Sequence, residues 1–427
     1  MLILAACNGG QSGGTITVAP PTSTTAGSST TADTATTTAP PEESFGVFKV
    51  GALNPLTGPF TQFGVDVNAG FQAYVNEVRG GVLGGWEIEV IEEDSATDVD
   101  IANTKARKLV EEDQVNFMFG LVHSGVAYGV APYINEAQIP FMITVAGADG
   151  LTQHDATPWI FRLNYTGSSE TMPMGDYACK TLGYETAVIV ALDYAYGWES
   201  SGGFARTFEE AGCSIVQELY SPLATEDWAP VVQQIDTGAS MVYAAVAGGD
   251  ANRFVDSYRN FGVELPLLGV GGLTDEYVLP QMGESAAGVI TGLHYSAVLD
   301  TPENQEFLTA MEGIGVQPGL GSDSGWTAAI VLEAALEQLG ADATDPDALR
   351  EALRTVSITA PRGPVSFDDL QQGVFSVYVR EVQEVDGQWV NAPIDTFEDV
   401  SQFWTYSQEE YLGLPKLAEL KGTWAGS

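Results

Sequence analysis

Val47-Phe48-Lys49-Val50-Gly51-Ala52-Leu53-Asn54 runs into Pro55-Leu56-Thr57-Gly58-Pro59-Phe60-Thr61-Gln62-Phe63-Gly64, and the fold turns on this stretch. Its first half is a short apolar, β-prone run and its second half a Gly/Pro loop. A stretch of helical periodicity, 62–78, follows, so the segment opens a β-loop-α unit. The unit then recurs. Strands are expected at 86–92, 116–119 and 140–144, with helices at 99–112 and 124–136 between them. After 159–163 a second series begins, with helices at 168–182, 197–210, 228–235 and 251–261. Strands at 187–192, 214–220, 241–246 and 265–270 alternate with them. A third portion reads as strand 291–295, helices 303–311, 323–339 and 346–355, then strands 373–385 and 388–391. The pattern is two α/β sandwiches in series, completed by a chain end that returns to both lobes.

Composition narrows the function. The 427 residues carry 57 acidic and 16 basic side chains, a net charge of −41, which excludes nucleic acid and anionic membrane surfaces as electrostatic partners. With 44% hydrophobic and 10% aromatic residues a folded body is expected. No Walker loop or His-Glu-x-x-His is present, and the one Gly-x-Ser-x-Gly run, Gly10 to Gly14, lies in a low-complexity stretch and follows no strand, so no enzymatic activity and no cofactor are expected. His123, His154 and His294 stand far apart, which offers no metal-ligand spacing.

The chain start has its own logic. Leu4-Ala5-Ala6-Cys7 is similar to the lipobox of bacterial lipoproteins, which implies diacylation of Cys7. Residues 1–7 lack a basic segment and are short for a signal peptide, so a signal that has lost its first residues is expected. Of the 37 residues 8–44, 30 are Thr, Ser, Gly, Ala or Pro, a composition that favours a disordered tether. Two acyl chains bind a membrane stably where one does not. Cys179 and Cys213 remain, an even number consistent with an exported protein; a disulfide and two buried thiols stand as equal readings.

Ligands of open parallel sheets sit beyond the carboxyl ends of the strands. Three loops lie there: 54–64, then Leu121-Val122-His123-Ser124-Gly125, then Thr144-Val145-Ala146-Gly147-Ala148. Small residues and backbone N–H groups at helix starts suit a carboxylate. For Ser124, helix N-cap and ligand contact are equal readings. Tyr194, Tyr196 and Trp198 alternate, which on an extended segment would build a wall for a flat apolar ligand. Arg162 reads better as a structural or hinge contact than as an anion ligand.

The run Val50 to Pro59, Gly64, Asn76-Glu77, Gly80-Gly81-Val82, Glu93-Asp94, Ile139-Pro140, Phe161-Arg162, Tyr196-Gly197 and Leu279-Pro280 resembles, in that order, the leucine/isoleucine/valine-binding proteins of ABC importers. The resemblance covers about residues 47–400. It implies a type I periplasmic-binding-protein fold, α/β with two Rossmann-like lobes joined by three crossings. Lobe 1 would comprise 45–163 plus 296–366 and lobe 2 164–295 plus 367–400, with 401–427 a tail packed on the body. It also implies that Phe63 covers the ligand and that Ser124, Gly125, Ala146, Gly147 and Ala148 take its carboxylate and amine. Tyr196 would close from the second lobe. Phe63 as core and Tyr196 as a cap of the hinge cleft are the structural alternatives.

Two positions depart from the family. Its threonine hydroxyl near the carboxylate is Ala148 here, and its acid for the amino group falls on Gly271. Asp250 and Asp275 are the candidate substitutes. His294-Tyr295-Ser296 resembles the branch whose ligands include carboxylates, amides and aromatic acids. The expected protein is a monomeric, lipid-anchored, extracytoplasmic solute-binding component for ABC permease subunits, taking amino acids or small carboxylates or amides. A tethered sensor is the alternative.

Overall fold

The structure, a computed structural model, describes residues 44–425. The expected signal, the anchor Cys7 and the tether up to residue 43 lie outside the described residues.

The first lobe is built on a six-stranded sheet: β1 (Val47–Asn54), β2 (Val82–Leu83), β3 (Trp86–Asp94), β4 (Phe117–Gly120), β5 (Phe141–Ile143) and β6 (Ile160–Arg162). The order is β2-β3-β1-β4-β5-β6. β1 lies inside, parallel to β3 and β4, with Val50 opposite both Val90 and Phe117. Covered on both faces, it buries Val50, Ala52 and Leu53 completely, which is why its sequence is a continuous apolar run.

The second lobe carries β7 (Thr186–Leu192), β8 (Ser214–Ser221), β9 (Met241–Ala245), β10 (Leu267–Val270) and β11 (Ile290–Leu293). It is completed by β12 (Ser357–Ala360), β13 (Gly363–Phe367), β14 (Gly373–Val385) and β15 (Gln388–Val400). The order is β12-β13-β14-β11-β10-β9-β7-β8, with β15 added to β14. β7 to β11 are parallel and the late strands antiparallel.

The chain passes between the sheets after β6, after β11 and ahead of β12. Between the last two crossings it returns helix Leu320–Leu339 to the first lobe. That helix lies directly on helix Thr61–Ala73: a Cβ on Gly70 would collide with the Ser322 carbonyl, and one on Gly325 with that of Val67. β12 and β13, expected in the first lobe, join the second sheet's path instead, because Ser366 and Phe367 pair with Val374 and Gly373 of β14.

Two helices are shorter than their periodicity suggests. The one expected at 228–235 is the single turn Ala229–Val232; Gln217 accepts the Asp236 N–H and draws the chain off helix. The one expected at 168–182 starts at Thr171, because Thr166 and Ser169 bind each other's backbone N–H and hold a turn ahead of it. Cys179 and Cys213 form a disulfide with Cα atoms 6.1 Å apart. Residues 401–425 lie across both lobes: Lys416 pairs with Asp155 at 2.9 Å and Arg206 donates to the Pro415 carbonyl at 3.0 Å.

Candidate functional site

A small cavity of about 20 Å³ lies between the lobes. Its walls are aromatic: Phe60 and Phe63 from the first lobe, Tyr165 from the first crossing, Tyr194 and Tyr196 from the second lobe. Val122, Val145 and Gly147 lie on the strand-end loops of the first lobe, and Ala247 and Gly272 face them from the second. Phe63 stands edge-on to Tyr277 with centroids 5.0 Å apart, so it serves the cavity and the lobe contact together.

The lobes are closed on each other. Glu199 of the second lobe accepts from the Tyr128 hydroxyl at 2.8 Å and the Asp149 N–H at 3.0 Å. Gly167 donates its N–H to the Gly147 carbonyl at 2.6 Å. Gly147 is required here: a Cβ would stand 2.8 Å and 3.0 Å from ring carbons of Tyr196.

Tyr194, Tyr196 and Trp198 do not alternate on an extended segment. Helix Ala195–Glu210 begins between the first two, so only Tyr194 and Tyr196 face the cavity. Trp198 turns toward the chain end, donating to Asp193 and lying under the Lys421 ammonium.

The two loops expected to take a carboxylate stand at strand ends of the first lobe, after β4 and β5. His123 caps helix Ser124–Ala137, its Nδ1 accepting the Val126 N–H at 3.2 Å. Burial pushes the His123 imidazole down to about 4, so it is neutral. Ser124 is therefore not the cap, and its buried hydroxyl has no hydrogen-bond partner among the described residues. The Ala146 N–H is bonded to the Leu121 carbonyl and is not available. Those of Ser124, Gly125, Gly147 and Ala148 take no acceptor among the described residues. Such donors at a helix start and an adjoining turn suit a carboxylate.

The amine-reading acid is a different matter. Gly271 has no room for a side chain, since a Cβ would stand 2.5 Å from Leu293, and its carbonyl accepts from Arg380. Asp250 is bound by Arg253 at 2.8 Å and by the Ala224 N–H at 2.8 Å. Asp275 accepts the N–H groups of Leu320 and Tyr277. None of the three lines the cavity. The buried acid beside the cavity is Glu170, to which Tyr196 donates at 3.0 Å, and burial pushes its carboxyl up to about 8.

Three arginines that sequence reading passed over, or left as hinge contacts, hold the site together. Arg162 is fully buried and donates to the carbonyls of Ala146 and Ala148, fixing the loop 144–148 from behind. Arg362 and Arg380 are equally buried, pairing with Asp323 and Glu276.

Two parallel α/β lobes, joined by three crossings and closed over a cavity at their strand ends, define the type I periplasmic binding protein class. The chain belongs to the periplasmic binding protein family, whose signature it matches over residues 47–388, in the group of the leucine/isoleucine/valine-binding proteins. A Leu/Ile/Val-binding protein homologue of Brucella abortus is 31% identical over 82% of this chain and 92% of its own length. An ABC transporter substrate-binding protein from Sphaerobacter thermophilus superposes with a TM-score of 0.78 at 33% identity, covering 83% of this chain and 99% of that one. An R. palustris ABC transporter solute-binding protein solved with 4-hydroxybenzoate gives 0.79 at 30% identity, covering 84% and 98%. These homologues are extracytoplasmic substrate-binding proteins of ABC transporters.

Proposed function

We propose that this protein is the extracytoplasmic solute-binding component of an ABC importer, and that its ligand is a flat aromatic carboxylate. The carrying observation is the cavity itself, with five aromatic side chains around it and the unbonded N–H of Gly147 at its first-lobe edge. A ring buried between such walls gains apolar burial and aromatic contact together. The R. palustris relative solved with 4-hydroxybenzoate supports the same class.

An α-amino acid fits less well. Its ammonium needs an ionised acid nearby, and Asp250 and Asp275 are engaged while Gly271 supplies none. Without one, a charge-assisted hydrogen bond of roughly 1.5–3 kcal/mol is lost. Diacylation of Cys7, with residues 8–44 as a spacer to the permease, belongs to the same proposal; mass spectrometry of the Cys7 peptide from membranes tests it.

A thermal-shift screen of the protein against benzoates, aliphatic carboxylates, amides and amino acids tests the ligand class. Free ligand at 100 times its Kd adds about 2.7 kcal/mol to stability. Stabilisation by benzoates supports the proposal. Stabilisation by leucine or valine alone overturns it.

A further inference from the structure

A second cavity, of about 330 Å³, lies where both lobes meet the chain end. That volume falls within the roughly 300–1,000 Å³ of small-molecule sites. Tyr128 and Gly150 line it from the first lobe, Trp198 and Arg206 from the second, and Tyr411 and Leu417 from the chain end. Arg206, on helix Ala195–Glu210, is only 6% exposed, and its guanidinium lies 5.4 Å from the centre of the Tyr411 ring. A guanidinium has five N–H donors, and here Nη2 gives one to the Pro415 carbonyl. No carboxylate pairs with it among the described residues, although the chain carries 57 acidic side chains. The acids at the cavity wall face other groups. Glu199 accepts from the Tyr128 hydroxyl and the Asp149 N–H, Asp149 accepts the Ser168 N–H at 3.1 Å, and Asp155 is held by Lys416. Glu419 is exposed.

We propose that this cavity is a second ligand site, for a small organic carboxylate with an apolar body, read by Arg206. A buried charge without a partner is costly, so a nearly buried guanidinium at the wall of an open space favours an anion there. Its planar fork matches a carboxylate through two parallel N–H···O bonds. Trp198, Tyr128 and Leu417 give the body of the ligand apolar contact. The site is separate from the aromatic cavity at the strand ends, since no residue lines both.

Calorimetric titration of the protein with benzoate and, separately, with hexanoate counts the sites, with Arg206→Met, Ala418→Phe and Lys421→Ala alongside. Two equivalents per chain are expected for at least one of these probes in the unaltered protein. One of the two is expected to weaken about tenfold or more in Arg206→Met, which keeps an apolar stem and removes the charge. The same loss is expected in Ala418→Phe, which fills the cavity beside an intact Arg206. Lys421→Ala frees the chain end from Asp193 without touching the cavity wall and should retain both equivalents. One or two equivalents that persist unchanged in Arg206→Met and Ala418→Phe overturn this site and leave the aromatic-carboxylate reading of the other cavity intact. A single equivalent that both variants abolish keeps this site and overturns the strand-end cavity as the place of binding. An equal loss in Lys421→Ala assigns the effect to a loosened chain end, and binding of neither probe to the unaltered protein removes the carboxylate class; either result overturns the proposal.

Discussion

His123 and Tyr194 face each other across the cleft, ring centroids 4.9 Å apart and planes 12° from parallel. One ring belongs to the helix start of the first lobe and the other to the strand end of the second, so the stack exists only while the lobes are closed. Aromatic pairs of this kind contribute about 0.5–1.5 kcal/mol beyond their buried area. Tyr194→Ala is therefore expected to bias the free protein toward an open form and raise the ligand Kd about two- to twelvefold. A larger radius of gyration by small-angle scattering, together with the weaker Kd, checks this. An unchanged radius removes the stack from the closure equilibrium.

Gly147 is a point of close approach between the loop 144–148 and the second lobe, its carbonyl accepting the Gly167 N–H. Gly147→Ala would place a methyl group 2.8 Å from the Tyr196 ring and 3.1 Å from the Gly167 nitrogen. Overpacking of this kind costs roughly 1–3 kcal/mol, or about five- to 150-fold in affinity if it falls on the closed form alone. In a Tyr196→Ala background the same substitution should cost much less, because the ring it strikes is gone. A binding double-mutant cycle measures the coupling. Additive effects would show that Tyr196 does not close on this glycine.

The fold was legible because alternating strand and helix periods are local signals, and β1 with its loop carries them at full strength. Phe63, Gly147 and Tyr196, expected near the ligand because strand-end loops are where parallel sheets bind ligands, line the cavity. Gly271, Asp250 and Trp198 stand off the cavity for reasons that only packing reveals: Leu293 occupies the space above Gly271, Arg253 holds Asp250, and a helix start turns Trp198 outward. Glu170 gave no signal at all, being one acid among 57 acidic residues in the chain. Tyr165 and Arg380 reach the site through a crossing and a late antiparallel strand, placements that no local pattern encodes.

Glu170 also makes stability depend on pH. Burial raises its carboxyl from 4.5 to about 8, so the neutral form is favoured in the folded protein. Its contribution is fully present below about pH 4.5 and is lost as pH rises toward 8. Glu170→Gln carries no such penalty. The Tm of the variant minus that of the unaltered protein should therefore increase from pH 5 to pH 9. His123 titrates in the opposite sense, its penalty growing as pH falls from 6.5 toward 4, and it cancels because both proteins contain it. A flat difference across the range would mean that Glu170 ionises freely in the folded state.

Arg362 joins three parts of the molecule that share no sheet. From the turn after β12 its guanidinium reaches Asp323 at 2.5 Å on the returning helix and Asn164 at 2.6 Å in the first crossing, all without solvent exposure. Burial pushes the Asp323 carboxyl up to about 6 even against the pull of Arg362, so desolvation outweighs the pairing. Removing one partner should therefore be worse than removing both. Asp323→Asn leaves a buried guanidinium without its counter-charge, and a loss of about 3–5 kcal/mol is expected. Arg362→Met combined with Asp323→Leu should recover most of that stability, since neither charge then remains to be desolvated. Thermal unfolding followed by circular dichroism compares the two, and a double variant less stable than Asp323→Asn would show that the ion pair itself, and not the avoidance of an unpaired charge, holds the crossings together.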